Sequence, residues 1–103
     1  MLNENFVSDR QINQAGIELF RTLFSTLLSL KKNNNVDDAY IDFNAGELEI
    51  YIFTFKDDIE TEDFIIKTIT DWESEQKCFP EIYIRQSDEK MLVLPREVMK
   101  ICQ

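Results

Sequence analysis

The sequence predicts an α+β domain in the order α-β-β-α-β-β-(α), with a four-stranded, mainly antiparallel sheet and a long N-terminal helix packed on it. Three observations predict it. Apolar residues recur at spacings of three and four up to Leu30, as on one face of a helix. Two stretches, 39–55 and 82–94, alternate apolar and polar residues on either side of a turn. Between them, residues 58–77 return to helical spacing. A chain of 103 residues fits one domain, and all of 1–103 is assigned to it. A hydrophobic fraction of 44 %, with eight Phe, three Tyr and one Trp, supplies a core and argues against disorder.

The first helix opens on Ser8-x-x-Gln11, which reads as a capping box. Its apolar face is Ile12, Leu19, Phe20, Leu23, Phe24, Leu27, Leu28 and Leu30. Lys31 and Lys32 suit the negative end of the helix dipole, and Asn33-Asn34-Asn35 ends the helix. A helix over 9–32 spans ~36 Å, long for so small a domain, so part of it is expected to project or to meet a partner. Gly16 falls inside this helix and is read as a point of close packing.

A β-hairpin follows. Ala39 to Phe43 alternates, Asn44-Ala45-Gly46 turns with Gly46 supplying a positive φ, and Glu47 to Phe55 alternates again. On the second strand Leu48, Ile50 and Ile52 share one face; Tyr51, Phe53 and Phe55 share the other. With both faces apolar, this strand is either central and covered on both sides or carries a contact surface.

Residues 57–63 form an acidic loop into a second helix, capped by Asp58 or Thr61. Phe64, Ile65, Ile69 and Trp72 make its apolar stripe, and it ends near Lys77. A second pair of strands is expected after Phe79-Pro80. Ile82 and Ile84 face one way, Tyr83 and Arg85 the other; Ser87-Asp88-Glu89-Lys90 turns; Met91 to Leu94 pairs back. Pro95 then opens a short terminal helix, Arg96 to Ile101.

Charge narrows the possible partners. Twenty acids against 11 bases leave a net charge of −9, which repels nucleic acid and anionic membranes and favours a basic protein partner. Solubility alone is the other use of such a surplus. No basic n-region precedes an apolar h-region, and no apolar run reaches the ~20 residues of a membrane span. Cys78 and Cys102 sit among apolar residues and read as buried free thiols. A cytoplasmic location is the consistent expectation.

The chemistry available is limited. The chain has no histidine, so the commonest general base at neutral pH is absent and a Ser–His or Cys–His nucleophile cannot be assembled within it. Two cysteines without histidine do not complete a structural zinc site. Gly16 and Gly46 are the only glycines, too few for a phosphate-cradling loop. The acids of 57–63 lack the central glycine and ligand pattern of an EF-hand. No cofactor, metal or enzymatic activity is expected.

What remains is binding. From Asp57 to Glu75 there are eight acids and one base, Lys67. Such a run is either a solvated helix face or an interface. Asp57, Asp58, Glu60, Glu62, Asp63, Asp71 and Glu75, beside the rings of Tyr51, Phe53 and Phe55, would give a basic partner both electrostatic steering and an apolar anchor.

In size, acidity, lack of an export signal and the hairpin order around Asn44-Ala45-Gly46 and Asp57–Asp63, the whole chain resembles small bacterial immunity proteins paired with contact-dependent growth-inhibition toxins. That resemblance implies an inhibitor that covers the basic active or substrate-binding surface of a nuclease-type toxin. Two other readings use the same features. A phage-type DNA mimic would present spaced carboxylates to a nucleic-acid-handling complex. An acidic secretion chaperone or adaptor would use the long helix as a homodimer seam and the aromatic strand as a client groove.

Overall fold

The computed structural model describes the backbone of residues 2–44 and 46–102 and the side chains of residues 16–43 and 46–102. Helix α1 (Leu2–Leu30) leads into strands β1 (Val36–Asn44) and β2 (Glu47–Thr54), then helix α2 (Ile59–Gln76) and strand β3 (Glu81–Gln86). A 3-10 turn (Ser87–Glu89), a short helix α3 (Lys90–Val93) and strand β4 (Met99–Lys100) complete the chain. The sheet order is β3-β2-β1-β4. β1 runs antiparallel to both β2 and β4, and β3 runs parallel to β2. The α+β class, a sheet of four strands and the N-terminal helix are what the sequence predicts; the sheet is mixed, and its fourth strand is not the expected Met91–Leu94.

One face of the sheet is the core. Leu23, Leu27 and Leu30 of α1 meet Ala39 and Ile41 of β1, Ile50 and Ile52 of β2, and Ile65, Ile69 and Trp72 of α2. The buried spacing of α2 is four, four and three (Thr61, Ile65, Ile69, Trp72), which keeps one stripe on the sheet. Phe64 lies one residue, and so ~100°, off that stripe and is exposed, which corrects its expected place in the core. Trp72 Nε1 donates to Thr22 Oγ1 at 2.9 Å, satisfying the indole where it is buried and tying α2 to α1.

Local chemistry sets the element ends. The Ser8 and Gln11 side chains lie outside the described residues, but α1 already starts at Leu2, so Ser8 does not open it. Gly16 is exposed, and a Cβ added there would meet nothing within 4 Å, so the expected close packing is absent. Gly46 takes φ +82°, as the hairpin requires. Asp58 caps α2: its Oδ2 accepts from Thr61 N (3.2 Å) and Thr61 Oγ1 (2.6 Å). Lys77 ends the helix in the left-handed region at φ 55°, its N–H bonded to Glu73 O.

β1 carries a bulge. Val36 faces Thr54 while Asp38 faces Phe53, which leaves Asp37 as the extra residue. The bulge lets Val36 point into the core although Asp38, two residues on, points to the opposite face.

The chain after β3 departs from the expected hairpin. α2 returns the chain to the starting end of β2, so β3 pairs with β2 in parallel. Residues 87–90 then bind to the start of β1. Ser87 Oγ donates to Asp37 Oδ2 (2.8 Å) and lies 3.1 Å from Thr54 O, and Lys90 Nζ donates to Asp37 and Asp38. Met91–Leu94 therefore closes a helical turn instead of a strand. The expected helix over 96–101 is replaced by β4, with Ile101 N donating to Ala39 O (2.8 Å). A six-residue helix is marginal alone. The extended path instead pairs with β1 and seats Ile101, fully buried, in the core. Cys78 is half-buried and Cys102 exposed, so only the first approximates the buried thiol expected; burial, then the charge of Glu73, pushes its thiol upward.

Candidate functional site

The carboxyl ends of the parallel pair β2–β3 point to the same end of the molecule, where α2 begins and the segment after β3 turns back. Ligands of open sheets with parallel strands commonly sit at such an end. Here the chain holds Phe55 through Ile59 on a braced loop. Phe55 N donates to Asn35 O (3.0 Å), Lys56 N to Asn35 Oδ1 (2.9 Å), and Asn35 Nδ2 to both Lys56 O (2.9 Å) and Thr61 Oγ1 (3.0 Å). The asparagine that follows α1 thus fixes the loop that precedes α2.

All seven predicted acids are exposed: Asp57, Asp58, Glu60, Glu62, Asp63, Asp71 and Glu75. They are not one patch. Helical spacing aligns Glu60, Asp63, Lys67, Asp71 and Glu75 along a solvent-facing stripe of α2, broken by one cation, while Glu62 lies on the other flank. Asp71 and Glu75 border a shallow polar groove between the two helices, with Thr22, Ser25 and Thr26 opposite. Asp57, Asp58 and Glu60 cluster at the helix start. Hydrogen bonds from Thr61 hold the Asp58 carboxyl below the ordinary range.

The aromatic trio separates. Tyr51 is 5 % exposed and Phe53 0 %, so neither ring is open to a partner, whereas Phe55 is 58 % exposed. β2 lies between β3 and β1, and its second face is shielded by its own neighbours. The Tyr51 ring stacks on Tyr83 with centroids 4.9 Å apart, Tyr40 meets Phe53 edge-on at 5.8 Å, and Lys90 Nζ sits 5.5 Å from the Phe53 ring centre. Of the three rings, Phe55 alone is open to contact. Ile59, 75 % exposed and four residues on, joins it among the acids.

The face of the sheet away from the helices is organised in rows. Asp42, Glu49 and Glu81 stand side by side on β1, β2 and β3, and the next row is Tyr40, Tyr51 and Tyr83. On β2 and β3 each tyrosine serves the acid two residues before it: Tyr51 OH donates to Glu49 Oε2 (2.7 Å) and Tyr83 OH to Glu81 Oε2 (2.6 Å). Burial first, then the Glu49 bond, pushes the Tyr51 phenol upward; at Tyr83 the Glu81 bond comes first. On β1 the pattern breaks. Tyr40 turns its ring to Phe53, and Asp42 Oδ2 is buried with no hydrogen-bond partner among the described residues. Sequence reasoning missed this row. The signal was present as an acid and a tyrosine two residues apart on three segments, but only the strand register aligns them.

Among the described residues, no group of three or more acids or cysteines is arranged to hold a metal ion, and no helix is long and apolar enough to cross a membrane. No family model, curated protein or solved structure matches the chain.

Proposed function

We propose that this chain is a non-catalytic binding protein for a basic protein partner, and that it acts in the cytoplasm as an immunity-type inhibitor covering the basic active or substrate-binding surface of a nuclease-type toxin. One observation carries the reading. The braced loop and first turn of α2 present exposed Asp57, Asp58, Glu60, Glu62 and Asp63 around exposed Phe55 and Ile59. Carboxylates on a fixed scaffold steer a cationic partner, and a ring among them supplies an apolar anchor that excludes water. The lack of histidine in the chain agrees with a role in holding rather than transforming a partner.

The test begins with capture from the native host at low salt, identifying cationic proteins that elute as salt rises. Association of the captured protein is then compared between the native chain and a variant carrying Asp57→Asn, Asp58→Asn, Glu60→Gln, Glu62→Gln and Asp63→Asn. Asparagine at 58 retains a capping side chain, so the helix start is kept. The expected result is association slowed ~10-fold or more, with a flatter dependence on ionic strength. Unchanged kinetics, or a partner without basic character, overturns the reading.

A further inference from the structure

Asp42 is 7 % exposed, and its Oδ2 is buried with no hydrogen-bond partner among the described residues. A buried carboxylate oxygen without a donor is costly and rare in folded proteins. The neighbours deepen the cost. Glu49 stands directly across the strand pair and Glu81 one strand further, so like charges lie side by side. The phenols of Tyr51 and Tyr83 already give their protons to Glu49 and Glu81, and Tyr40, two residues before Asp42, turns its ring to Phe53. Asp42 also lines an open groove of about 770 Å³, walled by Phe43, Pro95, Arg96, Glu97 and Val98. The groove exists because β4 pairs with β1 only at Tyr40 and Ile41, so the edge of β1 beyond them has no neighbouring strand.

We propose that this groove binds a single alkylammonium or guanidinium group, with the Asp42 carboxylate as its counter-charge. The chemistry selects that class. A carboxylate oxygen requires a donor, the surrounding acids favour one that is positive, and no group of three acids or cysteines among the described residues is arranged to hold a metal ion. Pro95 and Val98 offer an apolar wall to the methylenes of a lysine or arginine stem. The site lies towards the other end of the sheet from the first turn of α2, since β2 runs ~16 Å from Glu49 to Thr54. It does not depend on the acids of α2. Arg96, in the same groove, forms no ion pair among the described residues and is an internal rival for Asp42.

The test is a titration of the isotopically labelled chain followed by NMR at the Asp42 carboxyl carbon and the amides of residues 96–98. The probes are N-acetylarginine amide and N-acetyllysine amide, spermidine as a free amine, and N-acetylcitrulline amide as an uncharged control. A cationic probe is expected to give a saturable shift confined to the groove, and citrulline none. Tighter binding of the amino-acid amides points to a protein side chain as the natural ligand; tighter binding of spermidine points to a free polyamine. Asp42→Asn should weaken the cationic probe at least ~10-fold while leaving the chain no easier to unfold in urea. Arg96→Gln should hold or tighten binding, and Glu60→Gln with Asp63→Asn should leave it unchanged. The proposal is overturned if no cationic probe saturates, or if shifts spread evenly over the acids of α2. It is also overturned if Arg96→Gln makes the chain easier to unfold and leaves the groove inert, which would assign Asp42 an internal partner. Each of these outcomes is independent of whether α2 captures a protein.

Discussion

Lys90 Nζ lies 2.7 Å from Asp38 Oδ2, so one cation fastens the segment after β3 to the bulge that opens β1. The same nitrogen is 2.9 Å from Asp37 Oδ2, and all three side chains are largely shielded from water. Desolvation opposes the ammonium, but the hydrogen bonds to Asp38 and then Asp37 outweigh it and raise Lys90 from 10.5 to about 12.

Lys90→Met is therefore expected to destabilise the fold by about 2 kcal/mol at neutral pH, since it removes the cation that two adjacent carboxylates share, leaving Asp38 to the longer pairs with Lys31 and Lys100 and Asp37 to Ser87. The native chain holds this contribution in full below the ordinary lysine value and loses it as pH rises through the raised one. Asp37 titrates at the other extreme. Burial would raise its carboxyl, but the hydrogen bonds from Lys90 and Ser87 prevail and lower it. Its contribution is present above the ordinary aspartate value and is lost as pH falls through the lowered one. Urea midpoints of the native chain and the variant should converge at both ends of the pH range.

The cap of α2 gives a second prediction. Asp58→Ala removes the acceptor for Thr61 N and Thr61 Oγ1 and should lower the unfolding midpoint, with Asp58→Asn restoring most of it. Hydrogen exchange at the first amides of α2 should quicken in the alanine variant, while the core strands stay protected. Uniform quickening across the sheet would show that the cap acts on the whole fold rather than on the helix start.

Ile101 tests the unexpected end of the sheet. It is fully buried, and Ile101→Ala should cost about 2–5 kcal/mol in denaturant unfolding. Cys102→Ala, one residue further at an exposed position, should stay within ~0.5 kcal/mol. Equal effects at the two positions would place the end of the chain outside the core.

The Trp72–Thr22 bond is the hydrogen bond by which a side chain of α2 reaches α1 among the described residues. Thr22→Val keeps the shape and leaves the indole N–H without its acceptor, at about 1–3 kcal/mol. Tryptophan fluorescence should shift as its polar contact is lost, with the far-ultraviolet circular dichroism unchanged.

Phe55→Ala separates folding from binding. The ring is mostly solvent-exposed, so stability should change by less than ~0.5 kcal/mol. Affinity for a captured basic partner should fall by more than ~1 kcal/mol, chiefly through faster dissociation. Unaltered affinity would remove Phe55 from the interface.

Much of the fold was legible because local patterns carried it. Leu23, Leu27 and Leu30 announced the buried face of α1, and Gly46 marked the hairpin. The errors share one cause: distant residues decided the local outcome. Residues 82–94 alternate as two strands would, yet Lys90 is drawn to Asp37 and Asp38, more than fifty positions earlier. The bulge at Asp37 breaks the period-two rule on which face assignments rest. The acidic run of α2 was readable as composition. The Asp42–Glu49–Glu81 row was not, because it exists only once three separate segments are set in register.

The strand order also sets how much chain each pairing must close during folding. β1 and β2 are joined by a tight turn and can zip early, β3 must wait for α2, and β4 closes the longest loop of all against Ile41. Until that final closure, β1 exposes an unpaired strand edge beside the gap that Ile101 later fills. The half-finished chain is then at its stickiest, and substitutions that weaken this last closure should show as aggregation during refolding in addition to a lowered unfolding midpoint.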